Sequence, residues 1–221
     1  MTGIYWYISR QKVDALRDAY ASSGFDWLKD LSFKLKSPFA EASAALRLDQ
    51  SLYRTVDKLA NNLLKAPETG SFPNLSEVGR VTFFSFAGSA QRCIEADAYW
   101  IALLADETAL LLAGSVSNAI GGPAKISENA ISPSADPIGA VKLAFKETRS
   151  PEESYAVGTT CSYVWQTISD PVRASWQTLP QVEGIAVYGG MFPASIAKSS
   201  DDSSTAIKKI VIGSPIYVRQ K

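Results

Sequence analysis

The segment from Leu112 to Gly122 holds the residues whose types and spacing are best suited to chemistry. Its apolar start leads into Gly114-Ser115, and Ser117 and Asn118 follow within three residues. A glycine turn at a strand end exposes backbone N–H groups and hydroxyls, which can bind an anion such as a phosphate. We therefore expect ligand-binding residues here, with a weaker candidate near the C-terminus: Gly114, Ser115, Ser117, Asn118, Gly213 and Ser214. A glycine that only permits a tight turn is the simpler alternative.

Known phosphate loops do not match this segment. It lacks the Gly-Lys-Ser/Thr of a Walker loop, and the glycine spacing of a Rossmann loop is missing too. A Gly114→Val variant is expected to abolish ligand binding while leaving the fold largely intact, because Gly114 is predicted to lie where the strand turns.

Catalytic chemistry is restricted because the chain contains no histidine. This excludes Ser-His-Asp and Cys-His mechanisms and histidine-containing zinc sites. No Ser-x-x-Lys motif accompanies the serines that would be nucleophile candidates, which are Ser85, Ser89, Ser115 and Ser214. The adjacent acid pairs suit turns and helix starts better than catalysis. We expect no catalytic residues, no bound metal and no cofactor.

Composition and charge limit the classes of partner that the chain is expected to bind. The chain has 221 residues, and 22 Lys and Arg balance 22 Asp and Glu. No basic field therefore attracts nucleic acid or an anionic membrane. Residues 1–10 do not resemble a signal peptide, and the longest apolar stretch is interrupted at Asp106-Glu107. We expect a cytoplasmic protein with two buried thiols, Cys93 and Cys161.

The first half of the chain alternates helix and strand signals. Aromatic and β-branched residues at 4–8 predict a strand, and Ser9 is a plausible N-cap for a helix at 11–21. Period-2 patterns at 31–48 predict an antiparallel pair, and Leu spacing at 51–65 predicts a helix. Further predictions are a loop at 68–74, a strand at 81–87, a buried hairpin at 98–104 and 109–113, and a long loop at 121–137.

The second half repeats similar signals. We predict a strand at Val141–Phe145, a helix from Ser150-Pro151 to Ser169 and a short helix from Asp170-Pro171 to Trp176. Strands are predicted at 184–188, 195–198, 208–212 and 216–219. The fold class is thus α+β, one domain over 1–221: a mixed, largely antiparallel sheet covered by three or four helices. Two duplicated halves, about 51–120 and 151–218, are one interpretation.

Three short anchors resemble an uncharacterised bacterial family. They are an aromatic strand followed by Ser9-x-x-Lys12-Val13-Asp14-x-Leu16, the Leu112 to Ser115 element, and Gly213-Ser214-Pro215-Ile216-Tyr217-Val218. In that family a histidine commonly follows the Gly-Ser element, where this chain has Asn118. The resemblance implies architecture and a bacterial origin but no activity.

The leading hypothesis is a cytoplasmic ligand-binding or sensory module for a small, phosphorylated or nucleotide-like molecule. The alternative is a protein-interaction or self-assembly protein, since the charge is zero and aromatic residues cluster. The third hypothesis is a hydrolase that uses carboxylates or a lysine.

Overall fold

A computed structural model describes residues 4–22, 50–75, 82–121, 136–148, 157–169, 179–194 and 207–221. These residues form seven strands and four helices, which confirms the predicted α+β class. The strands are β1 (Tyr5–Ile8), β2 (Thr69–Ser71), β3 (Phe83–Glu95), β4 (Ala98–Ala105), β5 (Thr108–Ser115), β6 (Gln181–Pro193) and β7 (Lys209–Gln220). The helices are α1 (Arg10–Ser22), α2 (Gln50–Leu63), α3 (Pro137–Thr148) and α4 (Val157–Ser169).

Five of the strands close into a small barrel. The first half of β3 pairs with β6, and its second half, from Ala90 onward, pairs with β4. The remaining pairs are β4 with β5, β5 with β7 in parallel, and β7 with β6. A ring with this order is the Greek-key connectivity of OB-type barrels. The strand β1 joins the edge of β7, and β2 runs parallel to β3.

Alternating side chains fill the barrel and coat its outside. Ile101 and Leu103 of β4 belong to the interior core, whereas Trp100 lies in a second core with α3 and α4. A third core joins α1, α2 and β1 to the outer face of β3, β6 and β7. Because both faces of β4 and β5 are buried, these strands are the continuous apolar runs that predicted the hairpin.

The predicted strand at Val141–Phe145 is wrong, because these residues lie in α3. Val141, Ala144 and Phe145 are buried at the i, i+3, i+4 spacing of a helix face. Asp136 caps the helix: its side chain accepts a hydrogen bond from the Gly139 N–H at 2.8 Å. An Asp followed by proline at the first helical position is a start signal that outweighs the local apolar run.

Two predicted strands near the C-terminus are one, since β7 runs without interruption through Gly213-Ser214-Pro215. Pro215 is tolerated because one edge of β7 is unpaired at that point, so the missing N–H breaks no strand pairing there. On that edge the pairing with β5 ends at Gly213, and the pairing with β1 begins at Tyr217. The β3 strand also continues beyond its predicted end at 87, to Glu95, and the predicted loop at 68–74 contains β2.

Several predictions fall outside the described residues. These are the antiparallel pair at 31–48, most of the loop at 121–137, the short helix from Asp170-Pro171 and the strand at 195–198. The predicted duplication of halves stays a prediction.

Candidate functional site

The first predicted site lies where β5 ends. Gly114 and Ser115 are its last residues, and a turn of 3₁₀ helix, Val116–Asn118, follows. The Tyr7 hydroxyl of β1 accepts hydrogen bonds from the Ser115 N–H, at 3.2 Å, and from the Asn118 amide, at 3.4 Å. The Ser115 and Ser117 hydroxyls are 2.7 Å apart. The amide that was expected to meet an anion is therefore already engaged by Tyr7.

The second predicted site, Gly213-Ser214, lies inside β7 rather than at a turn. Ser214 is almost fully buried, and its hydroxyl accepts a hydrogen bond from the Lys12 ammonium of α1. Lys12 is buried as well, a position that is rare for lysine. Sequence reasoning treated Ser9 and Lys12 only as a cap and a family anchor.

A cleft of about 580 Å³ opens elsewhere, between α2 and the outside of the barrel. Helix α2 supplies Asp57 and Asn61, which are four residues apart and so share one helix face. The opposite wall comes from β2, β3, β6 and β7, with Ser71, Ser85, Phe86, Ala87, Glu183, Tyr217 and Arg219 among its residues. No predicted site residue lines this cleft.

An arginine bridges the two carboxylates at the cleft. Arg219 contacts Asp57 at 2.8 Å and Glu183 at 2.6 Å, and the Tyr5 hydroxyl donates to the same Asp57 oxygen at 3.0 Å. Burial alone would lower the pKa of Arg219, but hydrogen bonds to Glu183 and Tyr5 and the charge of Glu183 outweigh it and raise that pKa. The guanidinium therefore stays charged and holds α2 against the barrel.

Comparison with family models assigns the chain to a family, but that family has no known activity. Residues 4–221 match a family of unknown function, DUF7019. The chain belongs to DUF7019. This confirms the expected membership of an uncharacterised family. No curated protein and no solved structure matches the chain.

The usual ligand face of an OB-type barrel is covered in this DUF7019 chain. Such barrels bind oligonucleotides and oligosaccharides on the outer face of their second and third strands, which are β4 and β5 here. That face packs against α3 and α4, with Trp100 and Leu111 buried beside Val141 and Trp165. Barrel topology alone therefore does not assign a function.

Other sites that sequence or fold would suggest are not favoured. Both cysteines are unbridged, and burial raises the pKa of Cys93 to about 11 and of Cys161 to about 12, which favours the protonated thiol over the reactive thiolate at neutral pH. Within the described ranges, His, Cys, Asp and Glu form no group able to hold a metal ion. None of the described helices has the length and apolarity needed to cross a membrane.

Tyr5 and Tyr217, beside the cleft, are expected to ionise at a higher pH than ordinary tyrosines, and the free energy of unfolding should therefore fall at high pH. Burial, first of all, raises the pKa of Tyr5 and of Tyr217 to about 12, and for Tyr5 the hydrogen bond to Asp57 adds to it. Between pH 10.0 and about 12 the unfolded chain loses these protons while the folded chain keeps them. Since the unfolded state then binds fewer protons, stability decreases as pH rises through this window.

Tyrosinate absorbance during a pH titration measures the ionisation of these tyrosines. Tyr217→Phe is the control, because it removes one of the two ionisations expected near pH 12. Ionisation of every tyrosine near its ordinary pKa, while circular dichroism still reports a folded chain, would contradict the expectation.

Proposed function

We propose that this DUF7019 chain is a binding module for a small organic molecule, held in the cleft between α2 and the barrel. The observation that supports this is the cleft itself: about 580 Å³ of open space whose charged groups are fixed in advance. Protein sites for small molecules typically measure about 300–1,000 Å³. A nucleoside-sized molecule fits this range.

The lining combines apolar surface with hydrogen-bonding groups. Phe86, Ala87 and Leu64 supply apolar surface, and Asn61 and Ser71 supply an amide and a hydroxyl. Such a mixture suits a flat apolar ring system that carries polar edges, since a few placed polar groups orient a ligand within an apolar site. The nucleotide-like part of the expected ligand therefore agrees with this cleft.

The charges in the cleft disfavour a phosphate there. Asp57 and Glu183 bring two carboxylates, and Arg219 already pairs with both. Lys221 lies 3.5 Å from the second oxygen of Glu183. A phosphate would meet these carboxylates, and the one cation among the lining residues, Arg219, is already paired with both of them, whereas a neutral or amino-bearing ring would not be repelled. We therefore favour a nucleoside-like ligand over its phosphorylated form.

Filling the cleft is expected to abolish binding without unfolding the chain. Ala87 is exposed and lines the cleft, so Ala87→Trp places an indole in the open space. The matched control is Ile94→Trp, because Ile94 is on the same strand, 43 % exposed and outside the cleft lining. Thermal shift and calorimetry with adenosine, guanosine, cytidine and uridine, each beside its 5′-monophosphate, measure binding.

The expected result is that at least one nucleoside stabilises the wild type and Ile94→Trp but not Ala87→Trp, and that its monophosphate binds more weakly. A nucleoside that binds Ala87→Trp as well as the wild type would show that the site is not this cleft. Tighter binding of the monophosphate would contradict the preference for an unphosphorylated ligand and would favour the Gly-Ser elements as the binding site. Native mass spectrometry of the same samples tests the interaction alternative, for which a stoichiometric partner or a defined oligomer is required.

A further inference from the structure

The strand β3 leaves a short stretch of its backbone unpaired beside the cleft. Over Phe83 to Ser85 it is bonded on both edges, to β2 and to β6, and from Ala90 onward it pairs with β4. Between these segments, residues 86–89 pair with β6 alone among the described strands. One edge of this stretch therefore has no neighbouring strand, although the rest of the barrel is paired.

The backbone groups on that open edge belong to Ala87. In an antiparallel pair, successive residues direct their N–H and C=O alternately toward the partner strand and away from it. The Thr82 carbonyl accepts from the Tyr188 N–H of β6, whereas the Ser85 carbonyl accepts from the Phe72 N–H on the other edge. Because the register between β3 and β6 is unbroken along this stretch, Ala87 points the same way as Ser85, away from β6.

This pair of groups is open to a ligand. Ala87 is exposed and lines the cleft, and within the described residues neither its N–H nor its C=O has a hydrogen-bond partner. An unpaired strand edge readily accepts new hydrogen bonds. Four residues are too few for an added strand between β2 and β4. A small molecule with one donor and one acceptor side by side fits the gap instead.

A carboxylate lies next to this edge. Glu183 is directly opposite Ala87 in the pairing of β3 with β6, so the two side chains are neighbours on the outside of the barrel. The Glu183 Oε1 accepts from Arg219 at 2.7 Å, and its Oε2 is 3.5 Å from the Lys221 ammonium. Ala87 alone suits an amino or an oxo edge, since it offers one donor and one acceptor. The carboxylate favours the amino edge, because it accepts hydrogen bonds and repels an oxo oxygen.

We propose that the Ala87 main chain recognises the base of the ligand, and that the ligand is an amino-bearing nucleoside, adenosine or cytidine, rather than inosine or uridine. The Ala87 N–H donates to a ring nitrogen, and its C=O accepts from the neighbouring amino group, as two opposed strand residues exchange hydrogen bonds. The second N–H of the amino group has the Glu183 carboxylate as its acceptor. This inference rests on the function proposed for the cleft and adds which part of the ligand is recognised.

Ala87→Pro removes the donor from this edge. Proline has no N–H, and it is tolerated in a strand where the N–H faces away from the neighbouring strand, so the pairing with β6 should be kept. Ala87→Gly is the matched control, because it keeps both backbone groups. Calorimetry should show adenosine binding about ten-fold more weakly to Ala87→Pro than to Ala87→Gly, through the loss of one hydrogen bond.

The unaltered chain tests the same proposal through its ligands. Adenosine and inosine form one matched pair, and cytidine and uridine form the other, since an oxo group replaces the amino group in each. The amino member of at least one pair should bind about ten-fold more tightly, and Glu183→Gln should remove most of that preference.

Hydrogen exchange measured by NMR tests the open edge directly. In the free chain the Ala87 amide should exchange with almost no protection, because it has no partner, and saturating adenosine should slow that exchange at least about ten-fold. The exchange and the matched pairs use the unaltered chain, so they decide the proposal even if Ala87→Pro fails to fold.

Three results would each overturn the recognition of the base by Ala87. They are an Ala87 amide already protected in the free chain, equal affinities within both nucleoside pairs, and adenosine binding to Ala87→Pro as tightly as to Ala87→Gly. If Ala87→Trp still blocks binding in any of these cases, the cleft remains the site and only the recognition proposed here fails. Absence of binding by every nucleoside overturns the function proposed for the cleft as well.

Discussion

Gly114→Val is expected to lower the free energy of unfolding by about 4 kcal/mol, which corresponds to a fall in melting temperature of about 8–16 °C. A Cβ at position 114 would lie 2.6–2.7 Å from the Tyr7 ring, closer than real Cβ atoms come to any neighbour. The Tyr7 ring cannot yield easily, because it is 0 % exposed and its hydroxyl accepts hydrogen bonds from Ser115 and Asn118. Overpacking and loss of those hydrogen bonds add together.

This outcome reverses the sequence-based expectation that Gly114→Val keeps its fold, because the close approach of Tyr7 cannot be read from the sequence. Urea unfolding measures the loss, and the control is a double-mutant cycle of Gly114→Ala with Tyr7→Ala. Removing the ring should relieve at least about 1 kcal/mol of the glycine penalty. Additive losses in that cycle, or a Gly114→Val chain that melts like the wild type, would show that Gly114 is not held against Tyr7.

Parts of the fold were predictable because the pattern of apolar residues along the chain shows which faces of an element are buried. The β4–β5 hairpin was predicted nearly to the residue, since both faces of its strands are buried and the apolar runs are continuous. The second half of β3 was missed because many of its side chains are exposed and polar. The turn that joins it to β4 gave no signal either: Ala96 and Asp97 both have positive φ, a conformation for which Asn-Gly is typical.

The candidate site was less predictable, because its residues come from separate parts of the chain. The turn after Gly114-Ser115 was predicted, since it follows a single apolar strand. The cleft was not: Asp57, Glu183 and Arg219 meet only once the barrel closes and α2 packs on it. The burial of Lys12 was not predictable either: lysines normally lie at the surface, and the Ser214 hydroxyl that Lys12 contacts is 202 residues away along the chain.

Lys12→Ala is the second substitution for which we expect a large effect, a loss of about 3–5 kcal/mol in the free energy of unfolding. Truncation removes three methylene groups and the amine of a residue that is 2 % exposed. It also deprives the buried Ser214 hydroxyl and the Pro215 carbonyl of the hydrogen bonds that Lys12 donates. Arg17→Ala is the matched control, since Arg17 is on the same helix and its side chain is 57 % exposed, in surface ion pairs that contribute little.

Lys12→Met then separates packing from charge. Methionine keeps most of the volume of the lysine stem but also loses the hydrogen bonds to Ser214 and Pro215, so this variant should lose about 1–2 kcal/mol, less than Lys12→Ala. Urea unfolding followed by tryptophan fluorescence measures all three variants. If Lys12→Ala loses no more than Arg17→Ala, the buried contact with β7 is not present in solution. If Lys12→Met is as stable as the wild type, the hydrogen bonds that the amine donates to β7 are not required for the fold.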